Sequence, residues 1–195
     1  AQMKTLPDPV PVRATTGSRL ELQDGRTLVD GVGSWWTSVH GYNHPALIEA
    51  ARRQLGTMPH IMLGGLAHEQ AYRLAERLAR IAPGDLDKTF FTESGSVAVE
   101  VAMKIAVQYG TNRGGRRRTR FVSFNGGYHG DTFATMSVCD PEEGMHTLFS
   151  GAVAQQLIAD VPNTSARRDA LARAVAVHRH ALAGVVIEPL VQGAG

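Results

Sequence analysis

Residues 88–104 read Lys88-Thr-Phe-Phe-Thr-Glu-Ser94-Gly95-Ser96-Val-Ala-Val-Glu-Val-Ala-Met-Lys104, and this stretch decides the fold. The pattern predicts a short buried strand, a tight turn and then a helix. The first N–H groups of a helix have no acceptor within it, so Gly95 and Ser96 are expected to face an anion such as a phosphate. A serine N-cap without any ligand is the alternative explanation of the same residues.

The composition is that of an ordinary globular protein. The chain has 195 residues, of which 43% are hydrophobic and 19% charged, with a formal net charge of +2. That charge creates no global field favouring nucleic acid, and no apolar run is long enough to cross a bilayer. The single cysteine, Cys139, excludes an internal disulfide framework and suits a reducing cytoplasm. We therefore expect a cytoplasmic protein with neither nucleic-acid nor membrane partners.

Two local patterns suggest sites of other kinds, and each has a simpler explanation. Residues 113–120 are rich in arginine but contain no aromatic residues for base stacking, so we expect a solvated loop there. The eight histidines are scattered, and His178 and His180 point to different faces of a helix. We therefore expect no metal site.

The rest of the chain alternates helices and strands. The turn residues Asp24-Gly25 predict a hairpin, and the first dozen residues are expected to be irregular. We predict strands over 89–92, 120–124 and 184–188, and helices from 45, over 68–81, over 96–109, over 132–137 and from 165 to about 183. The helix over 96–109 is apolar nearly all round and is expected to be well buried. This order predicts an α/β unit with a largely parallel sheet.

Polar and aromatic residues follow each of the three strands. The first delivers Ser94-Gly95-Ser96, the second residues 125–131, and the third ends at Glu188. Because ligands of open α/β sheets bind at the carboxyl ends of the strands, we expect the three segments to converge on one site.

The converging residues have a functional and a structural interpretation. The ring of Tyr128 suits stacking on a planar cofactor, or else covers the sheet edge. His129 and Asp131 are candidates for catalysis or for hydrogen bonding within the loop, and Glu188 either orients polar groups or is structural.

Trp35 and Trp36 are a rarer feature. Side chains alternate along a strand, so adjacent tryptophans cannot share one face. We expect one to pack while the other walls a pocket.

Several segments resemble class III pyridoxal-phosphate aminotransferases, and the resemblance covers nearly the whole chain. Within that family, the paired tryptophans and the runs over 40–45 and 137–141 favour the branch that serves biotin biosynthesis. The segments are residues 30–36, 40–45, 94–104, 128–133, 136–141 and 187–195.

The resemblance implies a role for each matching residue. Gly95 and Ser96 would hold the phosphate of pyridoxal 5'-phosphate, and Tyr128 would lie over its ring and contact substrate. Trp35 and Trp36 would line the substrate pocket. Three residues would support the site: His129, Asp131 and Glu188. Gly64 would approach the active site of the partner subunit in a homodimer.

The resemblance also implies a fold and a reaction. The fold is the type I pyridoxal-phosphate-dependent transferase fold, with residues 1–30 in the N-terminal segment of the small domain and 31–195 forming the first part of the large domain. The reaction transfers an amino group from S-adenosylmethionine to 8-amino-7-oxononanoate, giving 7,8-diaminononanoate.

The lysines depart from the family pattern. The chemistry needs a lysine that forms a Schiff base with the cofactor, and a carboxylate paired with the pyridinium nitrogen. Lys4 lies in the proline-rich start, Lys88 opens the first strand, and Lys104 is roughly 12 Å along the helix from its phosphate-binding end. In the family both groups lie further along the chain than Glu188. We therefore expect a fragment that is inactive alone.

Other functions remain open on the sequence. One is another class III aminotransferase, of the ω-amino acid or diamine type. A different class is a non-catalytic phosphate- or nucleotide-binding module using the same helix start, although the chain has no Gly-x-Gly-x-x-Gly or Walker fingerprint.

Overall fold

The computed structural model describes residues 7–142 and 146–190, and the chain divides into two compact units, Ala1–Lys88 and Thr89–Gly195. The first unit holds a three-stranded antiparallel sheet in the order β1-β2-β3, formed by Val12–Thr16, Arg19–Leu22 and Thr27–Val29. The predicted hairpin is confirmed, because β2 pairs with β3 across the turn at Gly25. The chain before it contains β1, which the sequence analysis missed.

Three helical segments of the first unit are described. The first, α1, is a single tight turn over Gly33–Trp36, and the longer helices are α2, Pro45–Thr57, and α3, Glu69–Ile81. Both predicted helices are confirmed. Pro45 suits the first turn of α2, where a backbone N–H would have no acceptor within the helix. The His68 side chain caps α3 by accepting from Ala71 N.

The second unit is an α/β layer around a parallel sheet in the order β5-β4-β6. The strands are β4, Arg120–Phe124; β5, Leu157–Ala159; and β6, Leu182–Val185. The helices are α4, Gly95–Asn112; α5, Phe133–Met136; and α6, Ser165–His178, with a 3₁₀ turn over Thr147–Phe149. The predicted parallel α/β unit is confirmed.

Both faces of β4 are buried, and successive residues point to opposite sides. Phe121 packs with Met103 of α4 and with Val138, whereas Val122 packs towards Leu171 and Val175 of α6. Val122 is only 1% exposed, so the centre of this sheet is tightly enclosed. Helices on both faces explain why β4 is apolar after Arg120 except at Ser123.

The strand predicted over 89–92 is wrong. These residues pair with no strand among the described residues, and Phe90 is 71% exposed. An apolar segment becomes a strand only where a neighbour completes its hydrogen bonds, and this neighbour is not provided by the sheet β5-β4-β6.

The predicted burial of α4 is wrong in extent. One face packs on the sheet through Met103, but Ile105 and Tyr109 are exposed on the rest of the helix. Near-uniform apolarity therefore does not tell how many sides of a helix are covered within this chain.

Two boundaries near the end of the chain also differ from the prediction. Helix α6 stops at His178, and β6 begins at Leu182, because Ala181 O already accepts hydrogen bonds from Thr119 N and Arg120 N at the start of β4. The sequence analysis missed β5, a strand of only three residues.

Candidate active site

The N-terminus of α4 leaves backbone donors for a ligand. The Ser94 hydroxyl caps the helix by accepting from Val97 N at 3.1 Å. The N–H groups of Gly95 and Ser96 precede the first possible intrahelical bond, and the first turn contains no acidic residue. The end of the helix dipole and these two N–H groups together favour an anion.

Gly130 lies directly against this helix end. Its backbone φ of +125° is a conformation that favours glycine, and a side-chain carbon there would come within 2.7 Å of Ser96 Cβ and 2.8 Å of Ser96 Cα. The next residue, Asp131, donates its backbone N–H to Ser96 Oγ at 3.1 Å. The loop after β4 is therefore joined to the start of α4, as the sequence predicts.

Tyr128 lies on the same loop and is held at both ends. Its backbone N–H donates to Glu188 Oε2 at 3.0 Å, and its hydroxyl donates to Asp131 Oδ2 at 2.9 Å. Burial, and then the Asp131 carboxylate, raise the pKa of Tyr128 to about 12, so the phenol is neutral at pH 7. The ring is 39% exposed, which leaves part of its surface open to a ligand.

His129 faces the interior of the loop. Its backbone N–H donates to Cys139 Sγ at 3.2 Å. Burial lowers the pKa of the imidazole, opposed in part by the Glu188 carboxylate, so the ring is neutral at pH 7. Gly127 makes this packing possible, since a side-chain carbon there would lie 3.2 Å from His129 Nε2.

The segment after α5 braces the loop, a role that the sequence analysis did not assign. Asp140 Oδ2 accepts from Gly126 N at 2.6 Å, and Asp140 N donates to Gly127 O at 2.9 Å. Cys139 is buried beneath the loop, and burial raises the pKa of its thiol. The Ser-Val-Cys-Asp-Pro run used for the family resemblance was the available signal for this brace.

His146 is a second residue that the sequence analysis missed. Its ring stacks on Tyr128, with 6.3 Å between the ring centroids and an interplanar angle of 21°. Its Nε2 lies 3.4 Å from Asp131 Oδ1, so the Asp131 carboxylate contacts Tyr128 with one oxygen and His146 with the other. A lone histidine in a loop carries no periodicity or motif that would have identified it.

A polar cleft of about 530 Å³ borders the same loop. Its lining includes Asn125, Asp140 and Arg167, but neither Ser96 nor Tyr128. Asn125 Nδ2 donates to Asp160 Oδ1 at 2.8 Å inside it. The cleft therefore borders the start of the loop over 125–131 and does not include the start of α4 or Tyr128.

In the first unit, α1 presents both tryptophans. Trp35 is 80% exposed and lines a cleft of about 550 Å³, while Trp36 is 61% exposed. The expectation that one tryptophan packs is wrong, because the strand alternation behind it does not apply to a tight turn. Gly64 lies in an exposed connector with open space around its Cα. The roles of Trp35, Trp36 and Gly64 in binding stay predictions.

Two lysines lie among the described residues, Lys88 and Lys104. Lys88 Nζ lies 2.5 Å from Asp87 Oδ2, and Lys104 lies on α4, eight residues after Ser96. Lys4 and the final residues of the last family segment, 191–195, lie outside the described residues.

Three other kinds of feature concern residues 7–142 and 146–190. No three His, Cys, Asp or Glu side chains come together as a metal site in those ranges. Nor does any helix described there have the length and apolarity needed to span a membrane. The arginine-rich stretch before β4 is an exposed loop, as predicted.

Comparisons with known proteins identify the family. A family model described as aminotransferase class III matches residues 2–195. The chain is 46% identical over 193 residues to the adenosylmethionine-8-amino-7-oxononanoate aminotransferase of Mycobacterium leprae, covering 96% of this chain and 44% of that protein. It is 42% identical over 189 residues to the same enzyme of Corynebacterium glutamicum, covering 94% and 45%.

A solved structure is similar over the whole chain. The crystal structure of adenosylmethionine-8-amino-7-oxononanoate aminotransferase from Methanocaldococcus jannaschii superposes with a TM-score of 0.91 at 31% identity, covering 100% of this chain and 45% of that one. The chain thus spans about 45% of the length of these relatives. The α/β fold of the type I transferases is confirmed, and the chain belongs to the class III aminotransferase family.

Proposed function

We propose that the full-length protein is a pyridoxal-phosphate-dependent aminotransferase of biotin biosynthesis. It moves an amino group from S-adenosylmethionine to 8-amino-7-oxononanoate. Full-length here means a chain that also includes the region that its relatives have beyond these 195 residues. One observation carries the proposal: hydrogen bonds from Asp131 N to Ser96 Oγ and from Tyr128 N to Glu188 Oε2 join the helix start, the loop after β4 and the chain after β6.

The residues present fit the phosphate end of such a cofactor. Gly95 and Ser96 offer backbone N–H groups in a first helical turn that contains no acidic residue, and the proton of the Ser96 hydroxyl can be donated to an anion. Gly130 allows the loop after β4 to approach Ser96 closely, since a side chain at that position would overlap Ser96. Tyr128 supplies an aromatic surface for the ring.

Each part of the chain has one task in this proposal. When bound, the cofactor supplies an electron-withdrawing ring that makes amino transfer possible. Asp131 holds the Tyr128 hydroxyl, and Glu188 holds the Tyr128 backbone, so the ring is oriented before a ligand arrives. His129, neutral at pH 7, fills the inside of the loop without adding a charge beside the phosphate.

The choice of substrates rests on the relatives. The curated proteins named above are all called adenosylmethionine-8-amino-7-oxononanoate aminotransferases, and so is the solved structure. We assign to this protein the two substrates in that name, adenosylmethionine and 8-amino-7-oxononanoate. Trp35 and Trp36 would line the pocket that binds them. A cytoplasmic homodimer, in which Gly64 approaches the partner subunit's site, completes the proposal.

A product assay with the full-length protein tests the reaction. With pyridoxal 5'-phosphate, S-adenosylmethionine and 8-amino-7-oxononanoate, we expect steady formation of 7,8-diaminononanoate by mass spectrometry. Replacing S-adenosylmethionine by an ω-amino acid or a diamine is expected to give much less product. Faster turnover with either replacement would overturn the assigned donor. The purified 195-residue chain is the matched control, and we expect no product from it.

Ser96→Ala tests the phosphate site directly. Loss of one hydrogen bond to a charged group costs about 1.5–3 kcal/mol, so the Kd for pyridoxal 5'-phosphate should rise about ten- to a hundredfold. Cofactor absorbance after dialysis measures this, and Tyr128→Ala should act in the same direction by removing the ring.

Thr164→Ala is the control for Ser96→Ala. Thr164 is a comparable hydroxyl that caps α6 by accepting from Arg167 N at 3.2 Å. Its loss should lower stability by about 1 kcal/mol while leaving cofactor affinity unchanged. Equal cofactor affinity in Ser96→Ala and Thr164→Ala would contradict the assignment of Ser96.

A further inference from the structure

One carboxylate in the first unit accepts four hydrogen bonds. Asp30 Oδ1 accepts from Val32 N and Gly33 N, each at 2.9 Å. Asp30 Oδ2 accepts from Ser34 N at 2.8 Å and from the Tyr42 hydroxyl at 2.5 Å. Three successive backbone donors and one phenol are therefore collected by a single side chain.

The backbone that Asp30 holds is unusual. Ser34, Trp35 and Trp36 have φ values of 48°, 53° and 66°, so three successive residues with side chains adopt the left-handed conformation. That conformation is unfavourable for L residues because Cβ approaches the carbonyl oxygen, and it is seldom kept for more than one residue. Something outside the turn must compensate, and the bonds to Asp30 do so.

Tyr42 ties this arrangement to the sheet. Its backbone exchanges two hydrogen bonds with Gly17, at 3.1 Å and 2.7 Å, in the turn between β1 and β2. Its hydroxyl contacts both Asp30 and the Ser34 hydroxyl. The hydrogen bond from Tyr42 and those from the turn backbone lower the pKa of Asp30, so the carboxylate is charged at neutral pH.

We propose that Asp30, supported by Tyr42, is a positioning residue that holds the left-handed turn and so sets the orientation of Trp35 and Trp36 for the amino substrates. This rests on the proposed function, in which the two tryptophans line the substrate pocket. A carboxylate is suited to the task because only an acceptor with several lone pairs can receive successive N–H groups and a phenol together.

The central test is Asp30→Asn in the full-length protein. The amide keeps the shape but loses the charge and one acceptor oxygen. We expect KM for S-adenosylmethionine or 8-amino-7-oxononanoate to rise about tenfold or more, as misplaced binding groups do, while cofactor absorbance is retained. The near-ultraviolet circular dichroism of the tryptophans should change in the same variant. Tyr42→Phe should give a smaller change of the same kind.

Asp24→Asn is the matched control. Asp24 also accepts a backbone bond within a turn of the same unit, from Arg26 N at 3.0 Å, but lies in the hairpin rather than beside the tryptophans. It should leave KM, cofactor content and the tryptophan spectrum unchanged.

A second-site change separates positioning from general stability. Glycine adopts the left-handed conformation freely. Adding Ser34→Gly to Asp30→Asn should therefore lower KM part of the way back to the wild-type value and restore part of the near-ultraviolet spectrum. Ser34→Ala removes the same hydroxyl without freeing the backbone and should recover neither. If the role of Asp30 were purely structural, Asp30→Asn would lower cofactor content and thermal stability together, and Ser34→Gly would not rescue either.

The outcomes of this test are distinct from those of the proposed function. An active wild type with unchanged KM and spectrum in Asp30→Asn would refute the positioning role. A wild type without diaminononanoate formation would refute the proposed reaction, and the tryptophan spectrum would still decide whether Asp30 holds the turn.

Discussion

The loop over 125–131 and the α1 turn both present aromatic residues, but they are held in opposite ways. The loop follows a strand buried on both faces and is braced by Asp140, Cys139 and Glu188. The turn lies at an exposed surface and depends on Asp30 for three of its backbone donors. The first region is fixed by the packing of the strand before it and by several hydrogen-bonding groups, and the second mainly by one carboxylate. Substitutions should therefore act on them through different properties: volume in the first, hydrogen-bond acceptance in the second.

The largest effect is expected from Phe121→Ala, behind the loop. Phe121 is buried with Met103 and Val138, and removing such a ring costs about 3–5 kcal/mol. The exposed Phe90 of the same unit is the matched control, with an expected change within about 0.5 kcal/mol. Urea unfolding of the 195-residue chain, followed by far-ultraviolet circular dichroism, measures both. Similar losses would mean that packing does not dominate in this unit.

Gly130→Ala should have the next largest effect, and it acts at the site itself. The added carbon would overlap Ser96 and sit on a backbone suited to glycine, so we expect a loss of about 2–4 kcal/mol. Gly114→Ala is the control, since Gly114 also has a positive φ but nothing within 4 Å, and it should cost about 1–2 kcal/mol. The difference in unfolding free energy between the two variants measures the steric part alone. Equal losses would indicate that backbone conformation, and not contact with Ser96, decides at position 130.

The smallest effect is expected from protonation of the Asp30 carboxylate as the pH is lowered. The folded pKa of this carboxyl lies below 3.8, so its contribution to stability is present above pH 3.8 and is lost as pH falls through the folded pKa. The difference in near-ultraviolet circular dichroism between the wild type and Asp30→Asn should therefore persist down to about pH 4 and then vanish. A difference that disappears well above pH 4 would show that another group holds the turn.

Much of the fold follows from local pattern. The helices starting at Pro45 and Glu69 are predicted by the helical spacing of their apolar residues, and the strand over Arg120–Phe124 by its apolar run. The prediction of a strand over 89–92 is wrong, because pairing requires a partner that local sequence does not contain. The same reason explains why β1 and β5 escaped prediction.

The candidate site divides in a similar way. The positions of Tyr128, Asp131 and Glu188 were predictable, since they follow β4 and β6, which are neighbours in the parallel sheet. The position of Ser96 was predictable from the helix start alone. The role of His146 was not predictable, because its ring contacts that of Tyr128, which lies eighteen residues earlier in the sequence. Nor was the role of Asp30, whose hydrogen bonds are local but whose left-handed backbone cannot be read from the sequence Gly-Ser-Trp-Trp.

The family, the main helices and the strands β4 and β6 could be read from the sequence, because motifs and periodicity are properties of short stretches. The tertiary structure shows which of these stretches are covered and which groups face each other. It placed Asp131 N on Ser96 Oγ and exposed both tryptophans on a left-handed turn. Burial and hydrogen-bond partnership depend on chain segments that are distant in sequence, and the free energy that selects them is shared among many residues.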